Sequence, residues 1–215
     1  AGVGLSMLIA APIGAAASQV GTLIMWATEQ APLVMGILVS VIVGVALTLP
    51  ISSAAICAAL GLTGLAGGAA VAGCCAQMVG FAVMSYKENG VGGLVSQGLG
   101  TSMLQMGNII KNPRIWIAPT LASAITGPLA TCLFHFEMNG AAVSSGMGTC
   151  GLVGQIGVYT GWVSDIAAGT KAAITPMDWA AMVLLCFVLP AVLSVVFCAV
   201  ERKLGWIKEG DLKLN

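Results

Sequence analysis

Charge is what this sequence lacks. Its 215 residues include 8 Lys or Arg and 8 Asp or Glu, only 7% of the chain, against about 25% in an ordinary soluble domain. So few charges cannot clothe a surface in water. With 58% hydrophobic residues and a mean hydropathy of +1.00, the solvent for most of that surface is lipid. The formal net charge is zero, which implies no polyanionic partner, and no basic-aromatic stretch is present, so no nucleic-acid partner is expected. A single histidine leaves no haem pair and no zinc cluster. None of the seven cysteines (57, 74, 75, 132, 150, 186, 198) forms C-x-x-C. They read as small reduced thiols buried in apolar tracts, and no metal or cofactor is expected. P-loop, G-x-S-x-G and H-E-x-x-H patterns are missing as well, so the chain is expected not to be an enzyme.

What the sequence has in quantity is glycine: 29 residues, joined by 8 prolines. At membrane depth these are tolerated where neighbouring protein or a water-filled cavity satisfies the freed backbone groups. Their density predicts an all-α polytopic membrane protein built from spanning helices together with broken and re-entrant half-helices. At about 20 residues per span, the length has room for roughly five to eight spanning or half-spanning elements. The sequence opens on Ala1 without a signal-peptide pattern, and N-terminal helices are expected to be missing before it.

Residues 1–27 are apolar but interrupted by Pro12 and Gly14, which predicts a broken span. Pro32 opens a cleaner helix over 33–49, which Pro50 stops. The stretch 51–60 is too short to span and predicts a half-helix. Gly64 and Gly68 then form G-x-x-x-G, the spacing by which two helix backbones approach closely, in a span ending near Tyr86. Residues 91–110 carry Gln97, Gln105 and Asn108 and are expected along the interface or against a cavity. Asn112-Pro113 marks a helix start, with a kink expected at Gly127-Pro128. Residues 139–161 are too rich in glycine for a lipid-facing helix and predict a re-entrant hairpin. Thr175-Pro176-Met177-Asp178 marks a second start, with Thr at N-cap and Asp at N3, for a last span over 179–200. The division is therefore one transmembrane domain over 1–200 and an amphipathic tail over 201–215. The tail holds four of the eight basic residues, which places it in the cytoplasm with Lys111 and Arg114. The tail is also the expected docking surface for a regulatory partner.

Candidate chemistry centres on His135 and Glu137, ionisable groups flanked by apolar tracts on both sides. Such groups are expensive at membrane depth and mark substrate or proton sites by default. A carboxylate accepts hydrogen bonds from hydroxyls, a neutral imidazole donates one and accepts one, and Asn139 adds an amide. Ser144, Ser145 and Thr149 are expected to line the facing re-entrant segment, unless their hydroxyls bond back to helix carbonyls. Gln19, Gln77 and Gln155 read as buried amides bonded between helices. Asp178 reads as a helix cap, and Asp165 and Lys171 as solvated loop residues. A weak internal echo joins Ser52-Ser53 with Cys57 to Ser144-Ser145 with Cys150.

Glycine-rich broken helices, a His-x-Glu-x-Asn-Gly element at His135 to Gly140, and the following Ser144-Ser145-Gly146-Met147-Gly148 resemble the membrane subunit, EIIC, of the bacterial sugar phosphotransferase system. The narrower resemblance is to the second EIIC family, which includes proteins labelled perfringolysin regulatory proteins. The resemblance implies a homodimeric bacterial inner-membrane transporter subunit that binds a sugar and receives phosphate from a separate EIIB-type carrier. In that family a His and a Glu near re-entrant hairpins hold sugar hydroxyls, which His135 and Glu137 match. Two rival readings stay open: a membrane sensor that regulates without transport, and a transporter of a sulfur compound or other small ion using Cys57, Cys75 or Cys150.

Overall fold

The computed structural model describes residues 2–214, with side chains in the first helix only from residue 15, residue 16 apart. Among these residues the fold is all-helical. Its one β-type contact is an isolated antiparallel bridge between Gly64 and Met138. Three helices are long and apolar enough to cross a membrane: Gly64–Met84, Pro113–Leu133 and Pro176–Lys203.

The first of these, α4 (Gly64–Met84), is the axis and is buried along nearly its whole length. Preceding it are α1 (Gly2–Gln30), α2 (Pro32–Thr48) and the short α3 (Ser53–Leu60). The break expected at Pro12 does not occur, because α1 runs through it. In hydrocarbon a proline forfeits one backbone bond, whereas breaking the helix would orphan several. Buried Gly36, Val39, Ser40, Val43, Gly44 and Leu47 form one stripe of α2 at helical spacing. That stripe packs on α4 and on α7 (Ile117–Pro128), the middle of the second span. A methyl group at Gly73 would collide with the Ser40 carbonyl, and one at Gly127 with the Gly36 carbonyl, so these crossings require glycine. Hydrogen bonds lock the trio. Ser40 Oγ donates to the Ser123 carbonyl at 2.8 Å, and fully buried Gln77 accepts from Trp116 Nε1 at 3.0 Å. Gln77 and Gln155 are interhelical amides as expected, Gln155 Nε2 lying 3.2 Å from Cys75 Sγ, but Gln19 is exposed on α1.

The local start signals hold. The Asn112 side chain accepts from Arg114 N, and Thr175 with Asp178 closes a capping box. Pro128 is followed by a π turn at Leu129–Leu133. The last span combines α9 (Pro176–Val183), a π turn at Leu184–Val188 and α10 (Leu189–Lys203). Pro190 cannot donate a backbone bond, and the widened turn lies just before it.

Two short excursions meet inside the molecule. Ser52 caps α3, and Gly61, at a left-handed φ of 63°, ends it. Beyond Asn139 the chain passes through a 3-10 turn at Ala142–Gly146, packs Gly148 on Cys74 and Cys75 at the middle of α4, and returns in α8 (Val153–Ala167). Both turns lie within the expected re-entrant segments. They cross with reciprocal bonds: Ser53 Oγ donates to the Gly146 carbonyl at 2.7 Å, and Ser145 Oγ to the Leu62 carbonyl at 2.9 Å. The serine echo in the sequence is thus a contact.

Two expectations are corrected. Gly64 and Gly68 do not seat a second helix. Gly64 pairs with Met138, and a methyl at Gly68 would collide with the Phe136 carbonyl, so the partner is an extended segment. The polar residues of 91–110 do not face a cavity. After α5 (Tyr86–Val95) and before α6 (Met106–Lys111), buried Gln97 and Gln105 form a chain of amides that Asn108 extends. Gln97 Nε2 donates to Ser85 Oγ, Gln105 Nε2 to Gln97 Oε1 and Asn108 Nδ2 to Gln105 Oε1, each at 2.8 Å. The tail, finally, is packed on the body of the molecule, and the surface it offers a partner is a fixed one. Gln105 and Asn89 donate to the Leu212 carbonyl and Asn108 to that of Lys213, while Ile207 and Leu212 are buried beside Phe81 and Ile115. Arg114 lies 5.7 Å from the Trp206 ring centroid, so Lys111, Arg114 and the tail share one end of the molecule.

Candidate functional site

At the other end, the chain leaves the second span through Phe134, turns at His135 and continues without helix through residues 136–140. Backbone bonds from Phe136 N to the Ala130 carbonyl, and in both directions between Met138 and Gly64, hold them. Burial alternates along 135–139, as it does where a strand pairs on one face, around the Met138 bridge. Phe136 and Met138 therefore enter the core, while His135, Glu137 and Asn139 point the other way. His135 sits at a φ of 44°. For a non-glycine residue this left-handed backbone costs about 1–2 kcal/mol, so the bridge and its neighbours hold the turn against its own preference.

The three side chains open on a cavity of about 480 Å³. Its other walls come from the end of α8, the loop after it and the first turn of α9: Trp162, Asp165, Thr170, Lys171, Met177 and Asp178. Close contact brings α8 here, since Gly161 lies against the backbone of Asn139 and Gly140. The Asn139 amide nitrogen donates to Glu137 Oε2 at 3.0 Å and to Asp165 Oδ2 at 2.9 Å. Lys171 Nζ meets Asp178 Oδ1 at 2.9 Å and lies 5.8 Å from the Trp162 ring centroid. Asp178 Oδ2 is occupied by Thr175, through N at 2.7 Å and Oγ1 at 2.9 Å. Trp162 is 5% exposed and packs edge-on against Trp179 at 5.6 Å. The lining thus pairs a polar wall with an aromatic one. Among the described residues no group of three or more His, Cys, Asp and Glu side chains could hold a metal ion.

His135, Glu137 and Asn139 are therefore together, and Ser144, Ser145 and Thr149 are apart from them. Ser145 is buried and bonded to the carbonyls of Leu62 and Ala142, Thr149 donates to the Gly98 carbonyl, and Ser144 packs on Gly157. In their place stand Asp165, Lys171 and Asp178, which the sequence presents as two solvated loop residues and a cap. The available signal was coarse: between 135 and 178 the histidine and four charged residues, His135, Glu137, Asp165, Lys171 and Asp178, are the ionisable side chains other than Cys and Tyr. No cysteine lines this cavity.

Residues 1–214 match the family model described as phosphotransferase system, EIIC. The chain belongs to that family and is a membrane transport component of the phosphotransferase system. No curated protein and no solved structure matches it.

Proposed function

We propose that this EIIC-family chain binds and translocates a small polyhydroxylated solute, a sugar, and that the cavity beside His135 is its outward-facing binding chamber. One observation carries the reading. The alternation along 135–139 commits Phe136 and Met138 to the core, and turns an imidazole, a carboxylate and an amide into one cavity of about 480 Å³. A sugar has hydroxyls for the polar wall and C–H groups for the apolar side chains, Phe134 and Met177 among them, that complete the lining. Glu137 accepts from solute hydroxyls, and His135, which has no hydrogen-bond partner among the described residues, supplies a donor and an acceptor. The family supports phosphorylation by a separate EIIB-type carrier and assembly as a homodimer. The basic residues grouped at the far end support a cytoplasmic C-terminus.

The test begins with a thermal-shift screen of the purified chain over sugars, sugar phosphates and sulfur anions, followed by calorimetry with the solute found. Hydrogen bonds to a charged group are worth roughly 1.5–3 kcal/mol each. Glu137→Gln keeps the shape, and losing one or two such bonds weakens binding by about tenfold to a thousandfold. Unchanged affinity in a folded Glu137→Gln variant removes the chamber reading and favours a sensor without transport.

A further inference from the structure

The chamber has an imbalance of charge that says which polyhydroxylated solutes it takes, and this inference rests on the chamber being the solute site. Three carboxylates line it, Glu137, Asp165 and Asp178, against one ammonium, Lys171. The pair of Lys171 and Asp178 is self-contained, since Lys171 is bonded at 2.9 Å and the second Asp178 oxygen is spent on Thr175. Glu137 and Asp165 are left facing each other across one neutral amide. Each receives an N–H from Asn139, at 3.0 and 2.9 Å, and neither has a cationic partner among the described residues. The nearest positive group, Lys171, lies against the Trp162 ring in its own ion pair.

We infer that the chamber selects by charge: it takes a polyhydroxylated solute bearing an ammonium group, an amino sugar or amino polyol, in preference to its neutral counterpart, and rejects anionic ones. An ammonium group carries three donors and a positive charge, so it satisfies both carboxylates where a hydroxyl offers a single donor to one. A phosphate or carboxylate on the solute would face Glu137 and Asp165 with the imidazole of His135 as an unpaired side-chain donor and no unpaired ammonium or guanidinium among the described residues of the lining, and like charges brought together oppose binding.

Calorimetry on the full chain in lipid nanodiscs tests this with three probe classes at one ionic strength: 2-amino-2-deoxyhexoses, the corresponding neutral hexoses, and hexonates. The expected result is an amine bound about tenfold or more tighter than its neutral counterpart, with no heat from the hexonates. Asp165→Asn is expected to remove most of that preference while the melting temperature stays put, and Glu137→Gln serves as the second variant should the first fail to fold. A neutral hexose bound as tightly as the amine, or a hexonate bound at all, overturns the charge inference and leaves the chamber reading standing. Amine binding that ignores both substitutions overturns both readings, because the solute is then elsewhere. No binding by any of the three classes overturns the charge inference alone, and the chamber reading is decided by the wider solute screen.

Discussion

Two polar groups at opposite ends of the molecule, the amide chain under the tail and the lining of the chamber, treat their side chains in opposite ways, although buried Glu201 near the tail also lacks a side-chain partner. At the tail end, Ser85, Gln97, Gln105 and Asn108 form a sequence of 2.8 Å bonds that ends on the carbonyls of Leu212 and Lys213. Gln97 and Gln105 are fully buried there, and each donor has an acceptor built beside it. At the chamber end, acceptors outnumber donors. Two carboxylates share one amide, and His135 has no partner among the described residues. Polarity alone therefore does not separate scaffold from site in a membrane protein. The difference between these two groups is that the amide chain satisfies its own members and the cavity lining does not.

The sharpest way to break this contrast is to damage the satisfied end. Gln105→Leu keeps the volume but strips partners from Gln97, Asn108 and the Leu212 carbonyl. Asn108 keeps the Lys213 carbonyl and the Leu212 carbonyl keeps Asn89, so Gln97 Oε1 is the group left unpaired. At about 1–3 kcal/mol for such a group, the chain should lose roughly that much stability and the tail should loosen. Thermal unfolding in nanodiscs with limited proteolysis at the C-terminus measures both, and a loss under about 1 kcal/mol would mean that the amides are ornamental. At the chamber end the signs reverse. Asn139→Leu removes the shared donor and leaves Glu137 and Asp165 without it, so solute affinity should fall by about tenfold. The melting temperature should hardly move, because both carboxylates reach water. The smallest effect belongs to Lys171→Met. Its ion pair with Asp178 is about a quarter exposed on each side chain, and such pairs contribute about 0.2–1 kcal/mol. A loss well beyond that would show that the pair closes the chamber wall rather than resting on it.

Much of the fold was legible because membrane-protein starts and stops are local chemistry. Asn112-Pro113 and Thr175-Pro176-Met177-Asp178 cap helices within four residues, and Pro50 ends one, so nothing distant had to be known. The glycines were legible as close contacts but not as contacts with a particular partner. Gly68 admits an extended segment some seventy residues away in sequence, and a helix would have used the same spacing. The chamber was half legible. His135, Glu137 and Asn139 stand out because alternation turns neighbours in sequence into neighbours in space. Asp165 joins them through a bond across 26 residues, and no local pattern marks it. Ser144, Ser145 and Thr149 lie outside the cavity lining, and Ser145 and Thr149 take the other course open to a hydroxyl, bonding backbone carbonyls.

The crossing of the two short excursions has a mechanical consequence. Ser53 is tied to the backbone beyond Ser145, and Ser145 to the backbone beyond α3. A pull on either excursion along the membrane normal therefore loads the other. Two arms that would each bend as a free cantilever act instead as one cross-braced strut, whose stiffness in shear rests on two hydroxyl groups. Any rocking motion that carries a solute past this level must turn the strut as a whole or unlatch both ties together.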